Sequence, residues 1–276
     1  MALLVNEKEV PFRAGMILAD LVGEQGGDAD ILLVNGYPAT LQTALHDGDQ
    51  CWLWQRGKTL SAEEMQHLLY ARHTPGVQAR LQEKVVGIMG LGGLGSLVAI
   101  ALARMGIGSL LLADYDVVEP TNLNRQQYFV DQIGQKKTAA LRDILQRVNP
   151  HVCLTIIDRR LAEDDIGVLF KDVHALVECF DDPAMKAAGL RGALHYLPGV
   201  FYVGASGLAG YGENNAIRTR RLYPGIYLVG DGVSGAAPGQ GLMAARVGIA
   251  AHHQANQVVR LLLGAENEAG LDEGSL

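Results

Sequence analysis

The stretch from Lys84 to Asp116, KVVGIMGLGGLGSLVAIALARMGIGSLLLADYD, constrains the fold more than any other part of the chain. An apolar run, Val85 to Met89, meets Gly90, Gly92 and Gly95 in GxGxxG spacing. An apolar helix pattern follows from Leu97 to Met105, and a second strand pattern, Ser109 to Ala113, ends at Asp114. Strand, glycines, helix, strand and acid in that order form a dinucleotide-type fingerprint. The glycines serve a tight turn, a close approach of backbone to phosphate, and close packing of helix on strand. The helix start offers free N–H groups and a positive dipole end to an anion. Asp114 stands 19 residues after Gly95, near the spacing of a ribose-binding acid. The alternative is a purely structural turn, and which nucleotide binds is open at this point.

The chain has 276 residues, room for two domains with ample core. Apolar residues make up 49 % and charged ones 19 %, which excludes a disordered chain. The net charge of −7 argues against non-specific nucleic-acid binding, which needs a basic footprint. Cys51, Cys153 and Cys179 form no CxxC, so no disulfide framework is expected. The opening MALLVNEKEVPF lacks a basic region followed by a sustained apolar core, so no signal peptide is expected. The late apolar segment Val247 to Leu263 carries His252, His253 and Arg260 and fails the test for a membrane span. A cytoplasmic protein that does not engage membranes is the expectation.

The organisation reads as an α/β chain in which a small α+β domain precedes a doubly wound one. Residues 1–58 carry a hairpin (Ala2 to Val5, Glu9 to Phe12), a helix (Ala14 to Val22), a strand ending in Asn35-Gly36, and a last strand, Cys51 to Trp54. This pattern, with VNG in the middle and DGD before the last strand, resembles the β-grasp fold of ThiS-type ubiquitin-like sulfur carriers. Such carriers act through a C-terminal Gly-Gly carboxylate. Here the chain runs on through Arg56-Gly57-Lys58, so the domain is expected to dock or brace rather than serve as a substrate in cis. A helical linker, 59–83, contains Arg72 in YARHTPG. From residue 84 to 264 strands and helices alternate, as a Rossmann-like, mostly parallel sheet requires. Asn215 to Leu222 and Ile226 to Val229 add an antiparallel extension, and a last helix, Gly241 to Leu263, precedes a tail over 265–276.

A hydride-transferring enzyme would use the fingerprint but not the loop after Asp116, which contains Asn122, Arg125, Gln126 and, after Gly134, Lys137. An arginine gives phosphate a fixed fork of donors and a lysine gives it a movable point charge, so the pair suits a triphosphate. A surface salt bridge is the alternative for each. Asp181 and Asp182 follow the strand ending at Cys179-Phe180, where a carboxylate facing phosphates makes a sensible Mg²⁺ ligand. An N-cap before Pro183 is the other reading of these acids, with Asp182 the better cap. Cys179 and Cys153 read as core residues.

GxGGxG, D-x-D, N-L-x-R-Q, G-x-x-K and C-x-D in this order resemble the ubiquitin-activating-like adenylyltransferases, of which ThiF, MoeB and HesA are bacterial members. The likeness covers roughly residues 70 to 264 and is nearest to the shorter, zinc-less ThiF group. It implies ATP-dependent adenylation of the C-terminal glycine of a ThiS carrier in thiamine biosynthesis, with release of pyrophosphate. It also implies roles. Gly90, Gly92, Gly93 and Gly95 line the nucleotide, with Asp114 on the ribose and Asp116 beside it. Arg125 and Lys137 hold the phosphates with Gln126 against them, and Asn122 and Asp181 hold Mg²⁺. Arg72 reaches across a homodimer to the partner's ATP. Some relatives use a cysteine between residues 207 and 239 for a covalent step, and this chain has none there. The alternatives are another carrier such as MoaD, dehydration of a tRNA-borne threonylcarbamoyl group (disfavoured by the net charge), an NAD(P)-dependent oxidoreductase, and a non-catalytic carrier-binding module.

Overall fold

The computed structural model describes residues 1–59 and 61–265. The tail expected from 265 on lies, but for Ala265, outside the described residues. The chain divides into two compact units, Met1–Ala79 and a second from Arg80 on.

The first unit contains β1 (Ala2–Val5), β2 (Lys8–Pro11), a single α-turn α1 (Leu18–Leu21), β3 (Ile31–Val34), β4 (Tyr37–Pro38) and β5 (Gln50–Trp54). The sheet order is β2-β1-β5-β3-β4, with β1 and β5 parallel and the other pairs antiparallel. A mixed sheet with a short helix against it is the β-grasp arrangement. The helix expected over 14–22 starts late because Gly15 takes a φ of +86° and Ile17 is drawn into a bridge with Ala44. After α1 the chain continues as one π-turn, Val22–Gly26. Leu3, Leu18 and Leu21 are fully buried in this core, each contributing roughly 1.5–3 kcal/mol.

A sheet this small buries little of its surface, and a further helix enlarges it. Helix α2 (Ala62–Tyr70) begins in a reciprocal cap: Ser61 Oγ accepts from the Glu64 N–H at 3.1 Å, and Glu64 Oε2 accepts from the Ser61 N–H at 2.8 Å. Leu33 and Trp52 of the sheet pack with Ala71 and Leu68, so most of the helical stretch over 59–83 lies in the first unit. Helix α3 (Val77–Leu81) runs through the boundary.

The second unit is built from β6 (Val85–Met89), α4 (Gly93–Arg104), β7 (Ser109–Asp114), α5 (Lys137–Val148), β8 (Cys153–Asp158), α6 (Glu163–Leu169), β9 (Ala175–Glu178), α7 (Pro183–Tyr196), β10 (Phe201–Ala205), β11 (Arg218–Tyr223), β12 (Ile226–Gly230) and α8 (Ala244–Leu262). Its seven strands run in the order β11-β12-β10-β9-β6-β7-β8, all parallel except β11. Strand β9 is buried at every position, as a central parallel strand with helices on both faces must be. Strand β8 lies at the edge, which leaves Cys153 exposed, contrary to the core position expected of it. Cys51 and Cys179 are buried, and burial pushes the Cys51 thiol up to about 11 and that of Cys179 well above the usual range. No described helix is long and apolar enough to cross a membrane.

Candidate active site

The order of strands puts the ends of β10, β9, β6 and β7 side by side, and a cavity of about 510 Å³ opens over those ends. At its centre is the turn after β6. Gly90 adopts a φ of +87°, and a Cβ there would come 2.9 Å from the Cys179 carbonyl oxygen. Gly92 and Gly93 line the cavity as α4 begins. Gly95 does not. A Cβ on it would collide with the Gly90 carbonyl, so it lets helix and turn touch rather than meeting a ligand itself.

Asp114 ends β7 at the cavity wall, 8 % exposed, and its two oxygens accept from the backbone N–H groups of Leu91 (2.6 Å) and Asp116 (2.8 Å). The acid therefore fixes the glycine turn while facing the cavity. Tyr128, which sequence reasoning did not single out, braces the same turn by donating its hydroxyl to the Leu91 carbonyl at 2.7 Å. Burial, with Asp114 and Asp116 nearby, pushes its phenol far up, so it stays a donor. Ser96 adds a bond from its hydroxyl to the Gly92 carbonyl (2.7 Å) and accepts from the Gln127 N–H at 3.2 Å.

The loop between β7 and α5 brings Arg125, Gln126, Lys137 and Asp116 to the cavity. Arg125 is half-buried and steadied by the Thr121 carbonyl (3.1 Å) and Asn124 Oδ1 (2.9 Å). Lys137, the first residue of α5, is buried and donates to Asp116 Oδ2 at 2.8 Å. Gln126 is also buried, and its Oε1 has no hydrogen-bond partner. An acceptor left unpaired at a cavity wall is a costly arrangement unless a ligand or water donates to it.

Asn122 is not brought to the cavity. It is buried, and its Oδ1 accepts from the Glu119 N–H at 3.1 Å, closing the 3₁₀ turn Pro120–Asn122. The metal-ligand role expected of it finds no support in the cavity lining, which does not include Asn122. Arg72 lies exposed in the first unit, at the turn after α2.

On the β9 side, Asp181 is exposed at the cavity wall, with no hydrogen bond or ion pair among the described residues. Asp182 is the N-cap of α7, accepting from the N–H groups of Ala184 (2.6 Å) and Met185 (3.1 Å). The two acids therefore divide the roles expected for the pair: Asp182 is occupied by the helix and Asp181 is left for a ligand. A free carboxylate on a cavity that also presents the Arg125 and Lys137 side chains has the chemistry for one protein bond to Mg²⁺, an ion that takes its other ligands from phosphate and water.

Two further charged pairs were not legible in advance. Lys186, on α7, donates to Glu178 Oε1 (2.9 Å) and to the Ala205 carbonyl (2.8 Å), and lines the cavity. Burial pushes the Glu178 carboxyl up, against the pull of Lys186 and of its hydrogen bonds. Arg246, on α8, is 4 % exposed and pairs with Asp231 at 2.7 Å. Asp231 also accepts from the N–H groups of Val233 and Ser234, both at 2.8 Å, and from the Ser234 hydroxyl, which fixes the loop whose Ser234, Gly235 and Ala236 line the cavity.

Residues 65–272 match the ThiF family model and residues 1–57 the ThiS-like ubiquitin model. The chain is 36 % identical over 110 residues to the molybdopterin-synthase adenylyltransferase of Escherichia coli K12, across 40 % of this chain and 44 % of that one. It is 30 % identical over 198 residues to the adenylyltransferase and sulfurtransferase UBA4 of Yarrowia lipolytica, across 70 % of this chain and 49 % of that one. The chain thus spans about half the length of these curated relatives. Among solved structures, the tRNA N6-threonylcarbamoyladenosine dehydratase TcdA of E. coli, in complex with ATP, superposes with a TM-score of 0.66. It is 18 % identical, and the match covers 75 % of this chain and 98 % of that one, a likeness of fold. The glycine turn, the loop cations and the family match over most of its length agree: this chain belongs to the ThiF family, with a ThiS-like domain at its N-terminal end.

Proposed function

We propose that this chain is an ATP-dependent adenylyltransferase acting on the C-terminal glycine carboxylate of a ubiquitin-like sulfur carrier, and that the carrier is of the ThiS type used in thiamine biosynthesis. The observation that carries the reading is the convergence of Arg125, Lys137 and Asp181 on one cavity with the Gly90 turn and Asp114. A dinucleotide enzyme has no use for two cations and a free acid around its pyrophosphate. Adenylation needs them, because the α-phosphate becomes crowded with charge as pyrophosphate leaves. Two relatives named as adenylyltransferases support the reaction class.

The carrier carboxylate is already a nucleophile, so no general base is required, and positioning and electrostatics supply the catalysis. The N–H groups at the start of α4 face the phosphates, and Asp114 accepts from the ribose hydroxyls with lone pairs its backbone bonds leave over. Arg125 and Lys137 hold the departing pyrophosphate, and Gln126 lies against it. Asp181 would hold Mg²⁺, which screens charge between the phosphates. In a homodimer, Arg72 would reach the partner's nucleotide.

The test is exchange of labelled pyrophosphate into ATP with purified ThiS-type and MoaD-type carriers in separate reactions. Exchange with the ThiS-type carrier alone supports the full reading, and exchange with the MoaD-type carrier alone moves the substrate assignment. A stable complex with a carrier but no exchange would favour a binding module instead.

A further inference from the structure

The cavity is laid out along the sheet. The acid for the ribose ends β7, the anion-binding turn follows β6, the free Asp181 follows β9, and Lys186 lies at the far side, against the end of β10. Arg125 and Lys137 both come from the β7 side. The nucleotide is therefore provided for without Lys186, and the β9–β10 end of the cavity is left for whatever reacts with it.

Lys186 is unlike the other cations of the site. Its side chain is 27 % exposed, and two of its three N–H donors are taken by Glu178 and the Ala205 carbonyl. Glu178 is 3 % exposed and also accepts from the Phe180 N–H at 2.7 Å, so the pair is anchored on the protein side. Gln254 of α8 donates to the Glu178 carbonyl (2.9 Å) and the Val203 carbonyl (3.2 Å), holding the ends of β9 and β10 together beneath it. A lysine placed only to satisfy Glu178 would have no reason to stand at a cavity wall. The same wall includes Ser206, Gly207, Ser234 and Gly235, all small residues.

We propose, resting on the adenylation reading, that Lys186 is the residue that binds the carrier's terminal carboxylate, through its third N–H, at the β9–β10 end of the cavity. With Glu178 ionised, the pair Lys186–Glu178 is neutral as a whole. It gives a single carboxylate a charge-assisted hydrogen bond without the excess positive charge that would quench the nucleophile, and it adds little to the binding of a highly charged triphosphate. One carboxylate oxygen then forms a bond to the α-phosphorus while the bond from that phosphorus to the bridging oxygen of pyrophosphate breaks. The electron pair leaves with pyrophosphate, and no proton moves.

The experiment measures the KM for the carrier by pyrophosphate exchange and the ATP affinity by calorimetry without carrier, in wild type, Lys186→Met and Lys186→Arg. A lost charge-assisted bond predicts a carrier KM raised about tenfold or more in Lys186→Met. The ATP affinity is expected to stay within about twofold of wild type, and Lys186→Arg to recover most of the carrier affinity. Because Lys186→Met leaves Glu178 buried and unpaired, the double variant Lys186→Met/Glu178→Gln removes both charges and is expected to show the same carrier defect. An unchanged carrier KM in an active double variant overturns the assignment, as does a loss of ATP affinity equal to the loss of carrier affinity. A wild-type protein inert with every carrier overturns the adenylation reading itself, which separates that failure from this one.

Discussion

Lys137 holds its Nζ 2.8 Å from Asp116 Oδ2, with its own side chain 7 % exposed and that of Asp116 44 % exposed. The ammonium is fixed at the cavity wall before any ligand arrives, while Asp116 keeps contact with water. Removing Lys137 therefore strips the site of a pre-placed cation and leaves behind a carboxylate that solvent can still reach. Lys137→Ala is expected to lower carrier-dependent pyrophosphate exchange by about a hundredfold or more, the scale of losing one pre-aimed charge stabiliser. Arg125→Ala should do likewise. Circular dichroism and thermal melting should find both variants folded, and near-wild-type exchange in either would contradict the assigned roles.

Gly95→Ala tests the turn. The added Cβ would enter the space of the Gly90 carbonyl, so α4 must retreat from β6. A urea midpoint should report a loss of about 1–3 kcal/mol, the scale of overpacking, together with weakened ATP binding. A variant as stable as wild type would show that helix and turn are not in contact there.

Tyr128→Phe removes the donor to the buried Leu91 carbonyl. The expected cost is about 1–3 kcal/mol of stability, since a buried acceptor is left without its partner. Denaturant unfolding of the variant checks it.

The two residues expected to share a metal should separate. Asp181→Ala is expected to raise the Mg²⁺ concentration needed for half-maximal exchange. Asn122→Ala is expected to cost about 1 kcal/mol of stability, the worth of a lost cap, and to leave the Mg²⁺ requirement where it was. Magnesium titrations of both variants decide this.

The pattern from Val85 to Asp114 was readable because period, glycines and acid each restrict the backbone in the same way. The cations of the next loop do reach the cavity, although Lys137 also makes the salt bridge that was its alternative. Lys186 was not readable. A lysine one turn into a helix looks like any solvated one, and only the parallel pairing of β9 with β10 brings Glu178 and the Ala205 carbonyl to it. Asn122 is the opposite case, since an amide in a motif gives no hint that its oxygen accepts from the N–H three residues earlier and that the side chain stays off the cavity wall. Cys153 failed because an edge position is a property of the sheet order, not of the strand's own residues.

The Arg246–Asp231 pair gives the second unit an acid-sensitive loop. Burial alone would raise the Asp231 carboxyl, but the bonds from Ser234, Val233 and Arg246 outweigh it and hold the group well below the usual carboxylate range. A depressed folded-state pKa means that this contribution is complete above about pH 4, the unfolded value, and is lost as the pH falls toward the folded one. Asp231→Asn should cost about 3 kcal/mol at neutral pH, because Arg246 stays buried without its counter-charge. Melting curves between neutral and acid pH should show the gap between the two proteins narrowing only at the acid end.

If the cavity joins ATP to a free peptide carboxylate, pyrophosphate exchange must depend on that group. Measured with a ThiS-type carrier ending in its glycine carboxylate and with the same carrier ending in an amide, exchange is expected with the carboxylate and absent with the amide. Equal exchange with both, or exchange without any carrier, would contradict it.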